Sequence, residues 1–243
     1  MFYDDLYAFY DLINPGRDEE HAYYRNLIAE TDDVLEVACG SGSLTSEIAK
    51  FARSVVGIDI SPKMLEIARL RVPGAEFLET DMRSFEVDKI FDKVICPFNS
   101  FMHMHSDKDA VAALSLFRAH CKPTGQIVVD MFDIDINFFD ASTCNVQLAE
   151  CMDPVSGRHI RLYEDSRLDP DGPTIEITVR VVDTATKEEV TRSTYAMRIY
   201  RPDHMRSLFL EAGLTPVTVK ANYNSGARQQ EFRQIHIGKP TTN

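Results

Sequence analysis

Three carboxylates close three successive apolar stretches. Glu36 lies inside "VLEVACGSGSLT", Asp59 ends "SVVGID" and Asp81 follows "FLET" in "FLETDMRSF". Just past the first of them, Gly40 and Gly42 frame a bend that leads into a helix-forming segment. Glycines at such a bend let a ligand approach the main chain, and the helix start beyond offers unpaired N–H groups. The pattern stops short of the G-x-G-x-x-G dinucleotide fingerprint, because Thr45 stands where the third glycine would fall. Asp59, 23 residues after Glu36, is placed to take both hydroxyls of a ribose. A second group follows in "CPFNSFMHMHSD", where Asn99, His103 and His105 are candidates and His103 is the best placed to act as a base or orienter. His103, His105 and Asp107 lack the spacing of a known zinc site, so no metal is expected. Plainer roles compete at each position. A strand acid can accept from the N–H groups of a turn, and Asp59 or Asp81 can cap a helix or turn. His103 can simply start a helix.

These residues need elements to hold them. Acids crowd the start of 18–30, which reads as a helix. Strands are expected at Val34–Cys39, Ser54–Asp59, Ala75–Glu79 and Phe91–Cys96, with helices at Leu44–Ala52, after the cap Ser61, and across Asp107–Cys121. "KPTG" is expected to stop the last of these, and "QIVVDMF" to follow as a buried strand. Near-continuous apolar strands alternating with helices predict a parallel sheet covered on both faces. Past about residue 133, four alternating segments are separated by "DPVSG", "DPDGP" and "DTATKEE", which is the turn chemistry of an antiparallel meander. A helix resumes at Pro202 and closes at Gly213, and Thr215–Tyr223 and Phe232–Ile237 are expected to pair as a hairpin. The fold class is α/β: a doubly wound, mostly parallel seven-stranded sheet with helices on both faces and an antiparallel β insertion before the last helix. The expected divisions are 1–30 as an N-terminal cap segment and helix, 31–133 with 202–243 as the ligand-binding domain, and 134–201 as the β-rich insertion, a lid or dimer contact.

The 243 residues carry a net charge of −12, and no run of Lys and Arg offers a basic patch, which argues against nucleic acid as partner. Five cysteines without a C-x-x-C favour free thiols in a reducing compartment. The acidic, aromatic start is unlike a secretory signal, and no apolar run is long enough to span a membrane. A cytoplasmic protein is expected.

Taken in order, "VLEVACGSGSLT", "VVGIDISPKMLEIAR", "FLETDM" and "CKPTGQIVVDMF" resemble the class I S-adenosylmethionine-dependent methyltransferases, over roughly residues 30–133. The resemblance implies S-adenosyl-L-methionine as cofactor. It places Gly40 and Gly42 in the loop against that cofactor, with Ala38 at a position commonly held by glycine. Asp59 would hold the ribose, with Ile60 and Met64 against the adenine, although a methionine at helical spacing also serves as core filler. Asp81 would accept from the adenine amino group, and the Met82 N–H would reach the ring. Glu36 would sit near the methionine ammonium, and Pro97 in the segment bordering the methionine end. A ligand bearing an ammonium and a sulfonium but no phosphate suits a loop flanked by acids.

Methyl transfer is an in-line displacement that asks mainly for alignment and exclusion of water, so the acceptor is poorly encoded. The expectation is transfer to N or O of a small metabolite, with His103, Asn99 and Tyr10 as catalytic candidates. Tyr10, in "YAFYDLI", resembles the tyrosine of a cap segment that closes over the cofactor, and Tyr3 and Tyr7 stand in the same group. The insertion is similar to those of glycine N-methyltransferase-like enzymes and deoxysugar N,N-dimethyltransferases, which makes Arg198, Tyr200, Arg201, Tyr223 and Arg228 further acceptor candidates. A homodimer fits a β-rich excursion. The competing functions are an RNA or protein methyltransferase and a non-catalytic S-adenosylmethionine-binding protein. An NAD-dependent oxidoreductase is disfavoured by the missing glycine.

Overall fold

A computed structural model describes residues 6–14, 17–133, 142–153, 156–221, 223 and 233–241. Two compact units emerge, one of residues 17–133 with 200–243, the other of 1–16 with 134–199.

The larger unit is built on a seven-stranded sheet. Its parallel part comprises β1 (Asp33–Val37), β2 (Ser54–Asp59), β3 (Glu76–Glu79), β4 (Phe91–Cys96) and β5 (Cys121–Phe132). β10 (Leu214–Ala221) and β11 (Arg233–Pro240) pair antiparallel, and β11 lies antiparallel to β5. The order β10-β11-β5-β4-β1-β2-β3 reverses direction between β4 and β1. Right-handed crossovers on either side of that reversal put helices on both faces, and the carboxyl ends of β1 and β4 flank the crevice where such sheets bind ligands. The strands bury Val34, Leu35, Val94, Ile95, Ile127 and Val128 completely, which explains why they read as continuous apolar runs. At the opposite edge, Asp33 accepts from Arg53 and Ser54 and pairs with Lys89, while Asp92 pairs with Lys122.

Helices α2 (Asp18–Leu27), α3 (Ser43–Ile48), α4 (Pro62–Arg71), α5 (Asp107–Ala119) and α6 (Pro202–Glu211) belong to this unit. α4 and α5 begin with serine caps: Ser61 Oγ accepts from Met64 N–H and Ser106 Oγ from Asp109 N–H. α6 closes before Gly213, whose φ of +74° a side chain would strain.

Several boundaries differ from the sequence expectation. β1 ends at Val37, not Cys39, because Ala38 turns the chain with a φ of +56°. α3 stops at Ile48, and the predicted remainder runs on as turns. "KPTG" does not precede β5 but bulges within it, between the pairs Phe91–Cys121 and Lys93–Gln126. Gly125 makes the bulge feasible, since a Cβ there would lie 2.7 Å from Asp92 O. Phe232 of the expected last strand lies outside the described residues.

The smaller unit holds α1 (Tyr10–Ile13) and a four-stranded antiparallel sheet of β6 (Ser142–Met152), β7 (His159–Leu168), β8 (Thr174–Asp183) and β9 (Glu189–Arg198) in sequential order. That order is the predicted meander. β8 alternates strictly, burying Ile175, Ile177, Val179 and Val181.

Candidate cofactor and acceptor site

Parallel pairing brings the three predicted acids to the carboxyl edge of adjacent strands. Glu36 stands opposite Gly57 in β2 and Ile95 in β4, Asp59 is the last residue of β2, and Asp81 lies two residues past the end of β3.

Glu36 is buried, and its Oε2 accepts a 2.6 Å hydrogen bond from Thr45 Oγ1 in the first turn of α3. Burial pushes its carboxyl up to about 8, opposed by the Thr45 bond. Between the two residues the chain passes through three left-handed positions, Ala38, Gly40 and Gly42, with φ of +56°, +55° and +74°. Gly42 also packs against α4, where a Cβ would meet the Ala68 Cβ at 3.0 Å. Asp59 ties this loop to its own strand, its Oδ2 accepting from Gly40 N–H at 2.8 Å and its Oδ1 from Ser61 N–H at 2.9 Å. Arg71 donates to Ser41 Oγ at 2.9 Å from the far side.

The remaining predicted residues are placed as follows. Ile60 is exposed, whereas Met64 is buried in the core. Asp81 is half-buried and gripped by Arg83, which donates through Nε at 3.0 and 3.1 Å and through its backbone N–H at 2.8 Å, holding the carboxyl below its ordinary range. Met82 is half-buried in the turn beside it, and Pro97 is buried at the end of β4. Phe98 and Asn99 follow with φ of +50° and +67°, a second strained bend at the same sheet edge. Asn99 is buried and occupied: its Oδ1 accepts from Phe132 N–H at 2.8 Å and from Arg233 at 3.3 Å. His103 is half-buried in the 3₁₀ turn Ser100–His103 just beyond, and His105 is exposed. Tyr10 sits on α1, in the other unit. Among the secondary candidates, Tyr200 is buried and donates to Met104 O, Tyr223 donates to Asp130, Arg201 is exposed, Arg198 lies in β9, and Tyr3 and Arg228 are outside the described residues.

A buried charged cluster that sequence inspection missed lies beside this bend. Asp130, fully buried near the end of β5, accepts from Arg233 Nε at 2.8 Å and Nη2 at 2.7 Å, and from the Tyr223 hydroxyl. Asn99 N–H donates to Asp130 O at 3.0 Å, so the bend after β4 is clamped to β5 and β11. Glu20 on α2 is 2% exposed, and neither of its oxygens has a hydrogen-bond partner among the described residues. Arg17 Nε lies 3.8 Å from it, with the guanidinium 3.6 Å from the Phe98 ring centroid. Burial raises the Glu20 carboxyl to about 7. The signals were present: Asp130 ends an apolar strand as Glu36 and Asp59 do, and Glu20, Tyr23 and Tyr24 share one buried helical face. No group of three or more His, Cys, Asp or Glu able to hold a metal occurs among the described residues.

Comparison with known proteins gives this edge a context. Residues 34–125 match a family model described as a methyltransferase domain. A dTDP-3-amino-3,6-dideoxy-alpha-D-glucopyranose N,N-dimethyltransferase of Streptomyces fradiae is 32% identical over 55% of this chain and 56% of its own. A dTDP-3-amino-3,4,6-trideoxy-alpha-D-glucopyranose N,N-dimethyltransferase of Streptomyces venezuelae is 30% identical over 58% and 62%. The chain thus spans less than two thirds of these relatives' length. Among solved structures, S-adenosylmethionine-bound CalS10, an amino pentose methyltransferase from Micromonospora echinaspora, superposes with a TM-score of 0.75 at 22% identity, over 96% of this chain and 94% of that one. The fold is that of the class I methyltransferases, with the matched domain spanning the glycine loop and all three strand-end acids.

Proposed function

We propose that this protein is an S-adenosylmethionine-dependent methyltransferase acting on the amino nitrogen of a small metabolite, an aminodeoxysugar carried on a nucleotide. The observation that carries the reading is the buried Glu20 carboxylate, which accepts no hydrogen bond among the described residues and is ion-paired with Arg17 at 3.8 Å, next to the loop that Glu36 and Asp59 organise. A buried acid without a donor is costly in isolation, and a ligand ammonium is the partner that would relieve it. The donor set fits this cofactor: carboxylates and backbone N–H groups, with no lysine in the loop for a phosphate. The relatives' sugar amines and the S-adenosylmethionine bound by CalS10 point the same way.

In this account Asp59 receives the ribose hydroxyls, and Ile60 covers the adenine. Asp81 and the Met82 N–H reach the ring edge, which requires Asp81 to share its oxygens with Arg83. Glu20 and Glu36 hold the ammonium end, Arg17 holds the carboxylate, and Ala38, Gly40, Gly42 and Pro97 line the path. When bound, the cofactor supplies an electrophilic methyl group on sulfur. The protein's tasks are then alignment and dryness. Asn99, Asp130 and Arg233 position the bend that carries His103, and His103 orients the amine or takes its proton. The acidic surface argues against nucleic acid as acceptor. Five free thiols, three of them buried, support a reducing cytoplasm. We also propose a homodimer through the smaller sheet.

Incubation with a dTDP-linked 3-amino-3,6-dideoxyhexose and labelled cofactor tests the reading. It predicts a product heavier by one or two methyl groups, and the hydroxyl counterpart is left unmodified. Transfer to bulk tRNA instead of the sugar would overturn it.

A further inference from the structure

Within the larger unit, α6 packs on β10 and β11, and β10 is the edge of the seven-stranded sheet. Helix and strands leave a cleft of about 120 Å³ between them. Its walls are apolar: Phe209 comes from α6, and Val217 and Val219 from the edge strand. Both valines are exposed, at 52% and 46%, so an occupant would take apolar surface out of water.

One buried polar side chain also lines this cleft. His236, 3% exposed, stands opposite Val219 in the pairing of β11 with β10. Its Nε2 lies 2.7 Å from Gln234 Oε1. The Gln234 amide is oriented by its nitrogen, which donates to Tyr200 O at 2.7 Å and to Phe132 O at 3.3 Å. Oε1 can therefore only accept, and His236 Nε2 must carry the proton. Burial keeps the ring neutral by lowering its pKa to about 4, which makes Nδ1 a bare acceptor. No described residue donates to it. A buried acceptor left without a donor is costly, and a ligand's hydroxyl would relieve that cost.

The walls and the rim narrow the ligand. Asp203 and Arg206 put one charge of each sign beside the cleft, so no net charge draws an ion in. Cavities of about 150 Å³ lined by apolar side chains hold a benzene ring, and a cleft of this size open to solvent suits one ring of that kind. Phe209 and the valines favour an aromatic ring over a sugar, whose hydroxyls they could not satisfy.

We propose that the cleft between α6 and the β10–β11 pair is a second ligand site, for a small neutral aromatic molecule whose hydroxyl donates to His236 Nδ1. Phe209, Val217, Val219 and His236 have no part in holding the cofactor or the acceptor, so the site stands independently of the methyl-transfer reading.

Nuclear magnetic resonance of the full chain with ¹⁵N-labelled histidine tests it with two probes of one shape, phenol and toluene. Phenol should bind saturably and shift the His236 Nδ1 resonance, and should bind at least about fivefold more tightly than toluene, the worth of one hydrogen bond. His236→Phe, which keeps a ring and removes the acceptor, should erase the difference between the probes. Val219→Asp changes an exposed position, serves if the phenylalanine variant fails to fold, and should weaken both probes at least about fivefold by placing a charge on the apolar wall. Equal affinity of the parent for phenol and toluene overturns the proposal, as does an Nδ1 resonance that phenol leaves unmoved. So does a folded His236→Phe that still prefers phenol, or a Val219→Asp that binds both probes as the parent does.

Discussion

Thr45 donates to the buried carboxylate of Glu36 across the glycine loop, at 2.6 Å. The residue that breaks the dinucleotide fingerprint is therefore the one that holds the strand acid in place. Thr45→Val keeps the shape and removes the donor, leaving Glu36 buried without it, which should cost about 1–3 kcal/mol. Urea unfolding should show the loss, and Thr45→Ser should recover most of it. A valine variant as stable as the parent would mean that the bond is incidental.

Burial raises Glu36 to about 8 and Glu20 to about 7, so the folded protein holds protons that the unfolded chain has released. Their stabilising contribution is complete below the unfolded carboxylate range and disappears as pH rises through 7 and 8. His236, lowered to about 4 by burial, acts with the opposite sign but is spent by its unfolded value of 6.5. Between pH 6.5 and 8.5 the melting temperature of the ligand-free protein should fall. Glu20→Gln and Glu36→Gln should each flatten the slope. A rising curve over that interval would contradict the assignment.

Ala38 occupies a left-handed position that strains a side chain. Ala38→Gly should therefore stabilise the protein by about 0.5–1 kcal/mol, despite glycine's entropy. Gly42→Ala should do the reverse, by about 1–3 kcal/mol, because its Cβ meets Ala68. Paired thermal melts would show displacements of opposite sign.

Arg233 and Asp130 form a buried ion pair, 4% and 0% exposed. Arg233→Met would leave the acid uncompensated and should cost about 3–5 kcal/mol, whereas adding Asp130→Asn should return much of that loss. Since the pair also clamps Asn99, the double variant should fold but turn over slowly at unchanged cofactor affinity. Parental kcat in the double variant would argue against a positioning role.

Much of this was legible in the sequence. The mostly parallel sheet, the meander and the strand-end acids follow from apolar runs and turn chemistry, because a parallel sheet buries both faces and leaves polar residues only at its edges. The bulge at Gly125 was not, since "KPTG" spells a turn and only the pairing of β5 with β4 keeps it in the sheet. Nor was the clamp: Asp130 and Arg233 are 103 residues apart and meet through β11, which no local pattern announces. Glu20 looked like one more acid at a helix start.

Asp59 carries the central claim, because its carboxylate fastens Gly40 and is the group we propose for the ribose. Calorimetric titration of S-adenosylmethionine into the parent and Asp59→Ala is the most direct measurement. The account predicts saturable binding to the parent and at least a hundredfold weaker binding to the variant, with the variant still folded by circular dichroism. Equal affinity for the two proteins, or a flat trace with the parent, would contradict it.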